Sequence, residues 1–404
     1  MKSYSLFVLL SVCLLVVANA QEATQWRGEN SSGIYAVDKL LATWPAEGPQ
    51  ILWSANDIGK GFSSPAFANN KIYINGMIDG QATLFVLDQN GKILQQFSYG
   101  KEFDASFPGV RSTPTIAGEL AYLLTGHGKL TCLNLETGKS VWEKDFLTDM
   151  DGKNIVWGYT ETILLDGDKL FCTPGGQKNN VMALNRMTGE TIWNSNGLGE
   201  LSAYCTPLLV KLPARQLLVT HTAGNVIGID AADGKMLWNF AHPNQWAVHP
   251  NTPIYQDGGL FVFSGYGQGG EMLKLSDDGS SVTKEWEIKS FDSRMGGAVL
   301  KNGYLYGSGD NGRSWQCIDW KTGEQKYSST EVGKGVTIAA NDYLIGYSER
   351  GELFMANIDP SGFKVISKTK VELGSEQHWA HPVIDNGILY VRHGDTLIAY
   401  KISE

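Results

Sequence analysis

Short aliphatic and aromatic runs alternate along this chain with residue pairs that favour tight turns, and the alternation repeats with a period of roughly 45 residues. Units open on a dipeptide: Ser64-Pro65, Thr113-Pro114, Thr206-Pro207, Thr252-Pro253 and His381-Pro382, with Thr162-Ile163, Gly297-Ala298 and Thr337-Ile338 in the slots between. A turn such as Asn69-Asn70, Asp166-Gly167 or Asn386-Gly387 follows, built from residues that tolerate positive φ. It leads into a second strand, for example Ile72-Tyr73-Ile74 or Tyr304-Leu305-Tyr306. Beyond a polar or glycine-rich loop comes a third strand of alternating pattern, as in Leu130-Thr131-Cys132-Leu133-Asn134-Leu135. A second tight turn closes that strand (Asn90-Gly91, Thr137-Gly138, Thr188-Gly189, Asp233-Gly234, Asp278-Gly279, Thr322-Gly323, Ser361-Gly362), and a fourth strand runs on from it.

Four antiparallel strands per unit, arranged around a circle, leave only short protected sheet edges, so the pattern predicts an all-β, eight-bladed β-propeller. The unit beginning near Ala380 has room for three strands before Glu404, whereas Gly48 to Asn56, with Ile51-Leu52-Trp53, reads as a lone fourth strand ahead of the first unit. That strand is expected to complete the last blade and close a single domain over residues 21–404.

Composition is consistent with this. Of 404 residues, 42% are hydrophobic and 19% charged, with 47 glycines, a balance too apolar for disorder and too glycine-rich for a helical bundle. A net charge of −9 argues against a nucleic-acid partner. Lys2, the apolar run Leu6 to Val17 and Ala18-Asn19-Ala20 have the layout of a signal peptide spanning residues 1–20, cleaved before Gln21. An alternative makes Cys13 a lipid-modified terminus, but bulky Val12 precedes it. The mature chain is expected to be periplasmic or secreted, monomeric and without a membrane-spanning segment. Its four cysteines, Cys132, Cys172, Cys205 and Cys317, form no Cys-x-x-Cys pair and read as buried free thiols on strands.

Trp142, Trp193 and Trp238 stand four residues after a turn glycine, Tyr327 fills the same slot, and Trp286 is displaced by a short insertion. The stretches Cys132 to Trp142, Ala183 to Trp193 and Gly228 to Trp238 resemble the tryptophan-docking motif of pyrroloquinoline quinone (PQQ) repeat propellers, and the resemblance covers nearly the whole mature chain. In that family the tryptophan packs between adjacent blades. Gln95 and Ile366 occupy that offset in blades one and seven, so docking there is expected to rest on other contacts. The repeats build quinoprotein alcohol dehydrogenases, outer-membrane barrel-assembly lipoproteins and propellers that bind no quinone. No two cysteines here are neighbours, unlike the pair over the quinone in the dehydrogenases, and Gln21 stands where the lipoprotein has its anchoring cysteine. Gln25-Trp26-Arg27-Gly28 and Gly61-Phe62-Ser63-Ser64-Pro65 look more like the uncharacterised secreted members of the family.

In a four-stranded blade the first strand lines the central channel, and the residues just before the opening dipeptides ring one mouth of it. Those residues are Phe62, Arg111, Tyr159 with Glu161, Tyr204, His249, Arg294, Lys334, and His378 with Trp379. Arginines converging with aromatics suit a small anionic or sugar-like ligand, and an envelope protein is the other expected partner. No His-x-His, His-Glu-x-x-His or Gly-x-Ser-x-Gly is present, so no catalytic residue and no metal site is assigned. The leading expectation is therefore non-enzymatic binding at the funnel. The resemblance adds one alternative, an alcohol or sugar oxidoreductase using PQQ with calcium, and the loops add another, a cell-envelope interaction scaffold.

Overall fold

The computed structural model describes residues 23–404; the expected signal peptide, its cleavage point and Cys13 lie outside them. Eight sheets follow one another around a closed ring, spanning 66–101, 115–145, 164–195, 208–241, 254–288, 298–329, 335–370 and 383–401. Within each blade consecutive strands pair antiparallel. The last blade takes its outer strand from the other end of the chain: Ile51–Ala55 pairs antiparallel with Thr396–Lys401, setting Trp53 opposite Ala399. No helix among the described residues is long and apolar enough to cross a membrane.

A β-bulge interrupts the outer strand of every blade, and the residue just past it occupies one equivalent position. That position holds Gln95, Trp142, Trp193, Trp238, Trp286, Tyr327, Ser367 and Trp53 in blades one to eight. Trp286 is thus in register with the others, and Ser367 rather than Ile366 takes the slot in blade seven. Indole N–H groups donate to carbonyls of the following blade: Trp142 to Arg186 at 2.9 Å, Trp193 to Ala231 at 3.1 Å, and Trp238 to Gly279 at 3.2 Å. Trp53 does the same across the closure, donating to Gln89 at 2.9 Å with its ring lying on Gly91. Any side chain at Gly91 would overlap that ring, and φ of +80° there disfavours one in any case.

Two blades lack an aromatic residue in the slot. In blade one Phe97, two residues further along the strand, lies against Gly138 instead of Gln95. In blade seven the filling comes from outside the repeat: buried Trp44 packs among Val336, Val371, Ile398 and Tyr400, and its backbone N–H donates to Ser367 Oγ at 2.8 Å.

The amino-terminal segment also fills the channel. Thr24 bonds to the innermost strand of blade two through Ile116, and Ile34–Tyr35 pairs parallel with Gly335–Ala340, giving blade seven a fifth strand that the repeat pattern does not contain. Between them the Arg27 guanidinium is fully enclosed. It donates to the carbonyls of Ala298 and Thr337, each at 2.9 Å, and to His381 Nδ1 at 2.6 Å. With Nδ1 accepting, His381 Nε2 carries the hydrogen and donates to the Met295 carbonyl at 2.9 Å. Burial lowers Arg27 to about 10, and burial together with the Arg27 charge lowers His381 to about 3. Among the described residues all four cysteines are buried and free; Cys205 lies in a connection, not on a strand.

Trp53→Ala should cost about 2–4 kcal/mol of stability, read as a lower denaturant midpoint, whereas Leu52→Ala, at an exposed bulge position, should change it by less than about 0.5 kcal/mol. Arg27→Ala removes the side chain that bonds the Ala298 and Thr337 carbonyls at the plug, and thermal melts should show a loss of about 2–4 kcal/mol.

Candidate functional site

Above the plug, at the end of the blades where the connections between them lie, a funnel of about 440 Å³ opens to solvent. Trp26, next to the buried Arg27, is part of its lining and meets His381 edge-on at 5.1 Å. One wall is Trp379 packed against Phe62 at 5.1 Å and Phe107 at 4.8 Å. The facing wall is Trp157, set against Tyr204 at 6.2 Å and Trp246 at 6.3 Å, with Tyr266 beside it. Among the described residues the indole N–H groups of Trp26, Trp157, Trp246 and Trp379 have no hydrogen-bond partner, so these rings offer both apolar faces and donors. Three of the wall residues, Phe107, Tyr204 and Tyr266, sit at positive φ of 46°, 72° and 62°.

Of the residues expected to ring this mouth, Phe62, Arg111, Tyr204, Arg294 and Trp379 line the funnel. Lys334 and His378 belong to a narrow crevice beside it, shared with Arg294, Asp310 and Glu349. Tyr159, Glu161 and His249 are buried behind the wall and do not reach the opening. The Tyr159 hydroxyl is taken up by the carbonyls of Lys153 and Pro174. Glu161 accepts from the Thr173 backbone N–H at 2.9 Å and from its hydroxyl, and burial pushes its carboxyl up to about 7. His249 Nε2 bonds to the Ala223 carbonyl at 3.2 Å, so Glu161 and His249 form no acid–base pair.

The rim is also less cationic than the residue types suggest. Arg294 pairs with Glu349 at 2.8 Å and lies 3.9 Å from Asp310; Lys334 pairs with Asp310 and stands 3.7 Å from Glu349. Arg111 gives its N–H groups to the carbonyls of Ser106, Phe107 and Gly109 at 2.8, 2.9 and 3.0 Å, and its guanidinium lies over the rings of Phe62 and Phe103. It braces the loop that presents Phe107. What the mouth offers a ligand is aromatic surface, with the charges of Arg294 and Lys334 paired and the Arg111 N–H groups engaged.

Trp26, Phe107, Trp157, Trp246 and Tyr266 were not legible from position in the repeat. They lie in the plug or in loops, up to several residues ahead of the opening dipeptides. A large aromatic within an otherwise polar loop, as in Asn244-Gln245-Trp246, was the available signal.

Calcium-bound PQQ needs a set of carboxylate and carbonyl oxygens around the ion. Two carboxylates of the adjoining crevice, Asp310 and Glu349, are committed to Arg294 and Lys334, Asp292 accepts from the Gly267, Asp310 and Asn311 backbone, and among the described residues no three His, Cys, Asp or Glu side chains are grouped to hold a metal. Asp310 and Glu349 therefore offer that ion no uncommitted carboxylate.

A family model described as outer membrane protein assembly factor BamB matches residues 30–157 and 164–359. An uncharacterised protein of Rickettsia prowazekii is 20% identical over 347 residues, 69% of this chain and 81% of its own length. The crystal structure of BamB from Moraxella catarrhalis is similar with a TM-score of 0.62 at 15% identity, over 87% of this chain and 99% of that one. A europium-containing methanol dehydrogenase is similar with a TM-score of 0.67 at 14% identity, over 90% of this chain and 88% of that one. At such identities the structural likeness speaks for the fold alone. With the family match covering most of its length, this chain belongs to the PQQ-repeat propeller family whose model is described as outer membrane protein assembly factor BamB.

Proposed function

We propose that this protein is an exported, non-enzymatic propeller whose aromatic funnel captures an apolar segment of a cell-envelope protein. The observation that carries this reading is a set of exposed apolar side chains on the connections at the funnel end of the blades. Among the exposed large apolar side chains, Phe107, Leu147, Val156, Leu198, Trp246 and Leu373 all stand on connections between blades at this mouth, with Val156 70% and Trp246 52% exposed. A small ligand would be served by the 440 Å³ hollow and would leave that crown in water. A polypeptide segment would cover both, with the funnel tryptophans as anchors.

The compensated charges at Arg294 and Lys334 and the engaged guanidinium of Arg111 favour this partner over a small anionic or sugar-like ligand. Solved and curated members of the family bear names of outer-membrane assembly factors, which agrees in kind with an envelope protein as partner. Export rests on the leader read from residues 1–20.

A photoreactive amino acid at Val156 should crosslink to an envelope protein in intact cells, with mass spectrometry placing the crosslink in an apolar segment. The double variant Trp157→Ala/Trp246→Ala should then bind that purified segment at least tenfold more weakly, in line with the loss of two aromatic anchors. Unchanged affinity, or crosslinking to no protein, would remove the reading.

A further inference from the structure

Behind the funnel wall lies a cluster of imidazoles that the binding reading does not use. His221, at the end of Gln216–His221, and His242 and His249, which bracket the connection bearing Trp246, are all buried, with ring centroids 5.1 to 5.6 Å apart. His221 and His249 stack in parallel, and neither ring nitrogen of His221 has a partner. The chain's seven histidines all stand at the funnel end of the blades or in the connections there.

One residue links the cluster to the funnel. Asn244 holds the connection in shape: its Oδ1 accepts from the backbone N–H groups of Trp246 and Val248 at 3.0 and 3.2 Å, and its Nδ2 donates to the Val248 carbonyl at 2.7 Å. The same Nδ2 faces His249 Nδ1 at 3.5 Å and Ser264 Oγ at 3.4 Å. Because His249 Nε2 donates to the Ala223 carbonyl, Nδ1 is the unprotonated nitrogen and can accept from Asn244. A proton on Nδ1 would set donor against donor. Turning the Asn244 amide to relieve that contact breaks its bonds to Trp246 and Val248.

We propose that the His221–His242–His249 cluster is an acid-operated latch for the Trp246 connection, holding the funnel wall closed when the imidazoles are neutral and releasing it when they charge.

Other titratable groups face the cluster from the elements around it. Glu271, from Gly269–Leu275, bonds His242 Nδ1 at 2.6 Å and lies 3.8 Å from Lys284; Ser264 bonds the other nitrogen at 3.1 Å. Glu200 holds Thr222, Gly224 and Asn225 beyond His221, and the Cys205 thiol, pushed up to about 12 by burial, is near the His221 backbone. Glu271 is the one carboxylate bonded to an imidazole of the cluster, so His221 and His249 have no anion beside them. Burial and mutual repulsion hold His221 well below its ordinary value and His249 at about 3. The closed wall is therefore fully favoured above about pH 6.5 and loses its advantage as pH falls from there toward the closed-state values.

The test reads the wall directly, without a partner, so it stands apart from the proposed function. The full mature chain, labelled with 5-fluorotryptophan, is titrated from pH 7.5 to 5 by fluorine NMR, with the Trp246 resonance identified by its loss in Trp246→Phe. The latch predicts that this resonance moves to a solvent-like shift on acidification while the inter-blade tryptophans stay in place. It predicts that Asn244→Ala gives the solvent-like shift already at pH 7.5, and that His249→Gln keeps the closed shift down to pH 5. A Trp246 resonance that is insensitive to pH, or one that titrates identically in His249→Gln, overturns the proposal. If that variant does not fold, His221→Phe, which keeps the stack and removes one charge, serves the same purpose and should lower the midpoint.

Discussion

Hydrogen bonds between Ile51–Ala55 and Thr396–Lys401 join segments from opposite ends of the described chain, and every other feature of the molecule presupposes that junction. Seven blades can form from local hairpins, but a blade that borrows its outer strand from the far end forms only when the ring is whole. The junction carries the same bulge and the same indole-on-glycine contact as the ordinary blade interfaces, with Trp53 on Gly91 in place of Trp142 on Gly189. The seam is therefore built like an interior interface. It fixes the number of blades, hence the bore of the channel and the width of the funnel above it.

Residues ahead of that strand do further work at the seam. Thr24 to Tyr35 occupy the channel, Trp44 supplies the ring that blade seven lacks, and Ile51–Ala55 closes the sheet. Placing these roles on one stretch makes closure and plugging cooperative, since Arg27 finds its carbonyls only when blades six and seven are side by side, and His381 only when blade eight is in position. An enclosed guanidinium without a carboxylate is costly to bury, and it is tolerated because three acceptors converge on it from different blades.

The blades were legible in the sequence because strand alternation and turn chemistry are local, and the repeat multiplied a weak signal eight times. Closure was legible from the count of strands at the two ends. The substitutes at irregular interfaces were not: Phe97 is shifted by two positions, and Trp44 comes from outside the repeat. At the funnel, position before the opening dipeptide coincides with the lining at Phe62, Arg111, Tyr204, Arg294 and Trp379. It misplaced Tyr159, Glu161 and His249 because the chain twists as it enters the inner strand, so that neighbouring residues face opposite ways. The neutralisation of Arg294 and Lys334 depends on loops from different blades meeting, a pairing that no spacing along the chain reveals.

Backbone strain separates presentation from packing at this mouth. Along the described chain ten of the nineteen non-glycine residues at positive φ are Asn or Asp, whose short polar side chains make that conformation inexpensive. Phe107, Tyr204 and Tyr266 have no such excuse, and each costs on the order of 1 kcal/mol or more to hold there. All three line the funnel, and their surroundings restrain them: the Phe107 carbonyl accepts from Arg111, the Tyr204 carbonyl from the Thr160 hydroxyl at 2.8 Å, and the Gly267 N–H next to Tyr266 donates to Asp292. Rings that served only to fill the interior could sit on strands at no conformational cost, as Phe171 and Phe261 do. Among the described aromatic residues positive φ falls on these three funnel-lining rings alone, and such strain, braced by Arg111, Thr160 and Asp292, is what a surface needs if it must keep apolar groups turned toward a partner when none is bound.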